Sequence, residues 1–146
     1  MLRLFQRKDR LIVHGKAPYN AEPPLDRLRA AFLTEQADFY VRSHGDIPDL
    51  DADSYRLTVD GMVTMPLELS LAELKARFAH ATVTAVMQCA GNRRADMLAV
   101  APVSGDPWAP GAIGNAEWTG VRLAEVLRAA GIDADEERYV AFESHD

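Results

Sequence analysis

The sequence has one cysteine in 146 residues, Cys89. A single cysteine excludes a disulfide within the chain, the cysteine set of an iron–sulfur cluster and the paired cysteines that attach haem covalently. We therefore predict no haem in this chain. What remains is one thiol, whose reactivity depends on the charges around it.

Long apolar runs, internal repeats and low-complexity tracts are also missing. A helix that crosses a bilayer needs about 20 apolar residues in succession, so no membrane association is predicted. The first residues lack the apolar segment of a signal peptide, and we expect a cytoplasmic location, or a periplasmic one if the natural N terminus differs. The composition, 48% hydrophobic and 26% charged, is typical of one globular domain with a core.

Positive charge is scarce, since the net charge at pH 7 is −6. Residues 1–16 contain five basic residues and one acidic residue, whereas residues 17–146 contain eleven basic and twenty-one acidic residues. We predict a basic N-terminal arm over residues 1–16 and one domain over residues 17–146. An acidic body repels phosphate, which disfavours nucleic-acid binding, whereas a local group of arginines would attract a small anion.

The hydrophobic pattern predicts short helices and strands. Ser70 and Glu73 have the spacing of a capping box, and Gly131 is placed to end the last helix. Residues 99–116 are rich in glycine, proline and alanine, and a long irregular loop is more often functional than idle. Helices are predicted over 25–33, 71–78 and 123–130, and strands over 38–44, 55–60, 62–69, 82–86 and 138–143.

The residues that follow the predicted buried strand at 82–86 surround Cys89 with positive charge. Gly91 and Asn92 tolerate left-handed backbone conformations, so a tight turn there would point both side chains of Arg93-Arg94 toward one space. Fixed positive charge favours the thiolate, which is the form that binds metals. The alternative is that Cys89 is a small buried hydrophobe beside two solvated arginines.

Four separated motifs follow one another from Tyr19 onward: Tyr19-Asn20-Ala21-Glu22-Pro23-Pro24, Phe39-Tyr40-Val41-Arg42-Ser43-His44-Gly45, Cys89-Ala90-Gly91-Asn92-Arg93-Arg94, and Trp108 with Gly111-Ala112-Ile113-Gly114-Asn115-Ala116, Trp118 and Gly120. Together they resemble the sulfite oxidase family of molybdopterin enzymes, which includes eukaryotic assimilatory nitrate reductase. Four motifs in register are far more specific than one match of six residues. The second motif differs from the family's Phe-x-x-Arg-Asn-His-Gly pattern at Ser43.

The resemblance implies an α+β fold of the molybdopterin-binding type, with a mixed β-sheet and short helices, of which this chain would be the N-terminal portion, truncated at its C terminus. It implies a molybdenum–molybdopterin cofactor with Cys89 as the protein's ligand to the metal, for which a soft thiolate is suited. Cys89, Arg42, Arg94 and Trp108 are accordingly predicted as catalytic residues, the last three binding the oxyanion. The pterin-binding residues implied are Tyr40, Val41, Arg42, Ser43, His44 and Cys89.

The activity implied is oxidation of sulfite to sulfate by oxo transfer, with electrons passed to a separate acceptor such as a cytochrome or oxygen, in a full-length protein that forms a homodimer. Two alternatives stay open: an oxyanion reductase of the nitrate reductase type, and an inactive pterin-binding fragment. The segment Gly114-Asn115-Ala116 resembles the sulfite oxidases more than the nitrate reductases, which favours sulfite.

These residues also have structural interpretations. Arg42 could pair with a carboxylate, His44 could cap a turn, and Arg93 could hold the loop instead of contacting the pterin. Tryptophan is more often a core residue than a ligand, and we favour that role for Trp118. The remaining histidines, His14, His80 and His145, lack metal-ligand spacing and are predicted to be structural or to face the solvent. Packing roles are predicted for Met87, Met97 and Phe142.

Overall fold

The computed structural model describes residues 8–133 and 137–145, and this part of the chain is an α+β protein with short helices, as predicted. Its strands pair two by two, β1 with β2, β3 with β4 and β5 with β6, so they form three small sheets. In chain order the elements are β1 (Ile12–Lys16), β2 (Tyr19–Glu22), α1 (Leu25–Leu28), a 3-10 turn (Gln36–Asp38), β3 (Arg56–Val59), β4 (Leu67–Ser70), α2 (Leu71–Arg77), β5 (His80–Gln88), α3 (Arg94–Met97), β6 (Ile113–Val121) and α4 (Leu123–Ala129).

The hairpin of β1 and β2 belongs to the first of two compact units, which comprises residues 8–48 and 84–117 of the described chain. The strands are antiparallel, with Val13 opposite Ala21 and an irregularity between Val13 and Gly15. The last five residues of the predicted 1–16 arm are thus a paired strand, and residues 1–7 lie outside the described residues. The division of the chain at residue 16 stays a prediction.

The predicted strand at 38–44 is wrong except at one residue. Val41 forms an isolated antiparallel bridge with Ala21, with N–H···O distances of 2.8 and 2.9 Å. The strand does not continue because the N–H of Ser43 donates to the Asn20 side chain, at 2.7 Å, and not to a neighbouring strand. A side-chain acceptor thereby replaces the backbone ladder in this segment.

Helix α1 is shorter than the predicted 25–33, ending at Leu28. Beyond it the backbone bonds to β6. The N–H of Thr34 donates to the Asn115 carbonyl at 2.8 Å, and the Asn115 side chain donates to the Phe32 carbonyl at 3.0 Å. These distant partners replace the helical hydrogen bonds that the local pattern favoured.

The second unit comprises residues 49–83, 118–133 and 137–145 of the described chain. Strands β3 and β4 are antiparallel, with Arg56 opposite Ser70, which confirms the predicted pair of strands. Ser70 then begins α2 with both bonds of the predicted capping box: Glu73 N–H to Ser70 Oγ at 3.1 Å, and Ser70 N–H to Glu73 Oε2 at 2.9 Å. Helix α4 ends before Gly131, as predicted, at a left-handed φ of 72°.

Several predicted core positions in both units are exposed. Strand β5 is confirmed and pairs with β6 within the described residues, but its side chains at Val83, Val86 and Met87 are exposed. The predicted strand at 138–143 is wrong, since residues 137–145 contain no strand. The exposed side chains for which burial or packing was expected are Val83, Val86, Met87, Met97, Trp118 and Phe142.

Candidate functional site

Cys89 follows β5 directly and is half-buried. Its N–H donates to the Ala112 carbonyl at 2.9 Å, so its backbone is fixed against the segment that leads into β6. Its sulfur accepts a hydrogen bond from the N–H of Gly91 at 3.4 Å. The sulfur of Cys89 is therefore held in place by the backbone of the turn that follows it.

The turn after Cys89 is tight, as predicted, but its left-handed residue is Arg93, with φ 66°, and not Gly91 or Asn92. Gly91 is needed for a different reason: a Cβ there would lie 2.8 Å from the Arg94 guanidinium and 3.1 Å from the Trp108 ring. The amide oxygen of Asn92 accepts from a backbone N–H at 3.0 Å. The left-handed conformation therefore falls on Arg93, although glycine and asparagine tolerate it better.

The two arginines of this turn point to different places. The Nε of Arg93 donates to the Asp96 carboxylate at 2.7 Å, in an exposed ion pair of small energetic weight. Arg94 begins α3 and its Nη1 donates to the Asp106 carbonyl at 3.1 Å. It packs on Gly105, whose φ is 98° and where a Cβ would lie 2.5 Å from Nη1. The expectation that both guanidinium groups share one space is therefore correct for Arg94 alone.

A cavity of about 610 Å³ brings most of the predicted site residues together in the first unit. Cys89, Arg42, Arg94 and Trp108 all line it, and so do Ser43 and His44. The complete lining is Pro18, Asn20, Arg42, Ser43, His44, Cys89, Ala90, Gly91, Arg94, Gly105, Asp106 and Trp108.

Charge in this cavity is mainly positive, because its lining contains two arginines but one carboxylate, Asp106. Nη2 of Arg42 and Nδ1 of His44 are 3.5 Å apart. Guanidinium groups keep their charge at any working pH and present donors suited to oxyanions. The arrangement therefore favours a small anion near the Cys89 thiol.

Tyr40 and Val41 do not line the cavity. Val41 is engaged in its bridge to β2, and the ring of Tyr40 stacks on that of Phe39 with centroids 5.4 Å apart. Burial raises the pKa of the Tyr40 hydroxyl above its ordinary value, and the electrostatic interaction with Cys89 raises it further. Tyr40 therefore favours its neutral form.

Trp108 is both a core residue and a residue of the cavity, the two roles that the sequence left open. Its side chain is buried, with 1% exposure, and it also forms part of the cavity wall. Among the other histidines, His14 packs against it edge-on and has the structural role predicted for it. Trp108 is therefore a core residue that closes one side of the site.

Two residues that hold the site were not predicted. The Asn20 side chain accepts from the Ser43 N–H, and the buried carboxylate of Glu22 accepts from the backbone of the loop that carries Trp108. Both lie in the first of the four motifs, and an acidic side chain between an alanine and two prolines was the available signal. Its partners are 87 and 89 residues away, which sequence spacing does not indicate.

No group of three His, Cys, Asp or Glu side chains that could hold a metal ion occurs among residues 8–133 and 137–145. A metal bound at Cys89 would therefore need ligands other than the described His, Cys, Asp and Glu side chains. The same residues contain no helix that is long and apolar enough to cross a membrane.

Comparison with known proteins points to one group. The family model "Oxidoreductase molybdopterin binding domain" matches residues 44–146. Sulfite oxidase of Gallus gallus is 46% identical over 138 residues, which are 93% of this chain and 30% of that protein. Mitochondrial sulfite oxidase of Homo sapiens is 43% identical over 138 residues, covering 93% of this chain and 25% of that protein.

Relatives with lower identity are named for other activities. NADPH nitrate reductase of Phytophthora infestans is 38% identical over 131 residues, covering 88% of this chain and 14% of that protein. The crystal structure of the sulfane dehydrogenase SoxCD from Paracoccus pantotrophus superposes with a TM-score of 0.68 at 28% identity, over 85% of this chain and 31% of that one. This chain thus spans less than a third of the length of each of these proteins.

Proposed function

Because this chain belongs to the oxidoreductase molybdopterin-binding domain family, we propose that it forms part of an enzyme that oxidises sulfite to sulfate. One observation carries the proposal: the thiol of Cys89, the guanidinium groups of Arg42 and Arg94, and the ring of Trp108 line the same cavity. The higher identity to sulfite oxidases than to nitrate reductases favours sulfite as the oxyanion.

The residues present fit a molybdenum–pterin cofactor. The described residues offer a single soft donor at the site, Cys89, and no further cluster of protein ligands, which suits a metal that a dithiolene also holds. When bound, this group supplies the two-electron oxo-transfer chemistry. Cys89 would hold the metal, and we propose that the segment from Tyr40 to His44 contacts the pterin, with Ser43 and His44 on the cavity side.

The protein's own residues would bind and orient the anion. Arg94 is fixed by its bond to the Asp106 carbonyl and by its packing on Gly91 and Gly105, so its donors are aimed before the substrate arrives. Such preorganisation lowers the cost of binding. Arg42 is exposed and pairs with His44, and it would supply the second positive charge. The buried Trp108 would keep water from one side of the site.

Oxidation of sulfite takes one oxygen atom from water and releases two protons and two electrons with the sulfate. The two electrons must leave the site, and we propose a separate acceptor such as a cytochrome or oxygen. We also propose that the full-length protein forms a homodimer and that it is located in the cytoplasm.

The variant Cys89→Ser tests the proposal in the molybdenum-loaded enzyme. Serine fills nearly the same volume but is a poor ligand for a soft metal, so we expect sulfite-dependent turnover to be abolished while the melting temperature changes little. Molybdenum content, turnover and melting temperature are measured on the same preparation. Turnover equal to that of the parent enzyme would rule out ligation by the Cys89 thiolate.

A further inference from the structure

The carboxylate of Glu22 is buried, with 1% of its side chain exposed, yet it lies outside the cavity lining. Its Oε1 accepts from the N–H of Ala109 at 2.8 Å and its Oε2 from the N–H of Gly111 at 2.9 Å. Nε2 of His14 lies 2.8 Å from Oε1. These three hydrogen bonds offset the cost of burying a carboxylate.

The two backbone groups that Glu22 holds lie one and three residues after Trp108. No side chain fits at Gly111, because a Cβ there would lie 2.8 Å from Oε2 of Glu22 and 2.7 Å from the Pro23 carbonyl. The backbone after Trp108 therefore packs closely against the Glu22 carboxylate.

The ring of Trp108 is fixed by the third partner of the carboxylate. The His14 ring lies edge-on to the indole, with centroids 5.0 Å apart and planes at 66°. His14 is itself almost buried, with 10% side-chain exposure, and its Nε2 bonds to Glu22. Glu22 thus acts on the backbone beside Trp108 directly and on its ring through His14.

The same loop also holds the helix that carries Arg94. The N–H of Ala95 donates to the Trp108 carbonyl at 2.9 Å, and the N–H of Arg93 donates to the Ala109 carbonyl at 3.1 Å. These two donors belong to the residues immediately before and after Arg94 in the chain. A displacement of the loop would consequently move Trp108 and the first turn of α3 together.

We propose that Glu22 is a positioning residue for the oxyanion site, because its carboxylate fixes Trp108 and, through the loop, Arg94. It touches neither the substrate nor the metal ligand in this role. The proposal rests on the proposed function, since it takes the anion to bind beside Trp108 and Arg94.

The variant Glu22→Gln tests this in the molybdenum-loaded enzyme. Glutamine has nearly the same shape, but its NH₂ group would face a backbone N–H that needs an acceptor. We label the enzyme with 5-fluorotryptophan and assign the ¹⁹F resonance of Trp108 by its loss in Trp108→Phe. We expect this resonance to shift in Glu22→Gln without any anion present. We expect the Kd for sulfate and the KM for sulfite to rise about five- to tenfold, with a much smaller change in kcat.

The matched control is Glu125→Gln, the same substitution at an exposed glutamate whose partner is the exposed Arg128. It should leave the Trp108 resonance, the Kd and the KM unchanged. If Glu22→Gln does not fold, His14→Phe keeps an aromatic ring in place of His14 and removes one bond to the carboxylate. It should shift the same resonance and raise the same two constants, by a smaller factor.

A Trp108 resonance that stays in place in the folded variants would overturn the proposal. So would a lower melting temperature with unchanged Kd and KM, because that result describes a purely structural residue. A parent enzyme that binds no sulfate and oxidises no sulfite would refute the proposed function instead. The anion-free resonance would still report in that case whether Glu22 fixes Trp108.

Discussion

Arg94 is held in place by small groups. Gly91 and Gly105 leave room for its guanidinium, and the Asp106 carbonyl accepts one of its hydrogen bonds. Glycine is needed at position 105 for two reasons: a side chain there would collide with Arg94, and a φ of 98° disfavours any residue with a side chain. The charge of Arg94 is therefore preorganised, and we expect its loss to affect anion binding more than stability.

The variant Arg94→Gln should raise the KM for sulfite by roughly ten- to a hundredfold, because about 1.5–3 kcal/mol of charge-assisted hydrogen bonding is lost. Turnover at saturation should fall less if the contact acts mainly on ground-state binding. The control is Arg93→Gln, which alters the neighbouring arginine in an exposed ion pair outside the cavity lining. Equal effects of the two substitutions on the KM would contradict the account of this pocket.

At the level of single residues, the sequence predicted the grouping of Cys89, Arg42, Arg94 and Trp108, because each belongs to a recognisable motif. It did not predict Glu22. A buried carboxylate is rare, and the two backbone groups that it holds lie far away along the chain. The position of the left-handed residue was also predicted wrongly, since it is Arg93 and not Gly91 or Asn92. Gly91 is needed because a side chain there would collide with Arg94 and Trp108, which the local turn pattern does not indicate.

At the level of elements, success depended on whether the determining contacts are local. The capping box of α2 and the β3–β4 pair were predictable, because their partners lie close in sequence. Helix α1 and the segment at 38–44 were not, because distant side chains take the backbone hydrogen bonds there. The prediction of a strand at 138–143 was wrong, because an alternation of apolar and polar residues does not by itself provide a partner strand.

Loss of the capping box should weaken α2 in a way that depends on pH. The hydrogen bonds from the backbone and then the side chain of Ser70 lower the pKa of Glu73 below its ordinary value of 4.5, and the charges of Arg56 and Arg77 act in the same direction. A lowered pKa means that this contribution to stability is present above pH 4.5 and is lost as the pH falls through the lower folded-state value.

We expect Ser70→Ala to lower the free energy of unfolding by about 1 kcal/mol at pH 7. It should also raise the pKa of Glu73 part of the way to its ordinary value, as followed by NMR titration. Urea unfolding at pH 7 and near pH 3 should show the difference between parent and variant shrinking at the lower pH. A pKa of Glu73 equal in both proteins would show that the Ser70 side chain does not act on it.

At the level of the whole molecule, an acidic charge balance is combined with many exposed apolar side chains. The α+β class and the acidic balance were evident from the sequence, but the exposure of β5 was not, since a run of apolar residues usually indicates burial. Large apolar side chains with more than half of their surface exposed include Phe32, Val83, Val86, Val100 and Phe142.

We expect the 146-residue chain, studied by itself, to bind a hydrophobic dye such as ANS and to self-associate, because exposed apolar surface of this kind favours association. Light scattering and dye fluorescence over a concentration series measure both properties. A monodisperse chain that leaves the dye fluorescence unchanged would contradict the exposure described for β5.

We propose that sulfite is oxidised in the cavity beside Cys89. Stopped-flow absorbance of the molybdenum-loaded enzyme compares the two half-reactions most directly: reduction of the oxidised enzyme by sulfite, and reoxidation of the reduced enzyme by nitrate. We predict that sulfite reduces the enzyme faster than nitrate reoxidises it, and that Arg94→Gln slows the sulfite reaction at low substrate. Faster reoxidation by nitrate would contradict the sulfite assignment and would identify an oxyanion reductase with the same anion pocket.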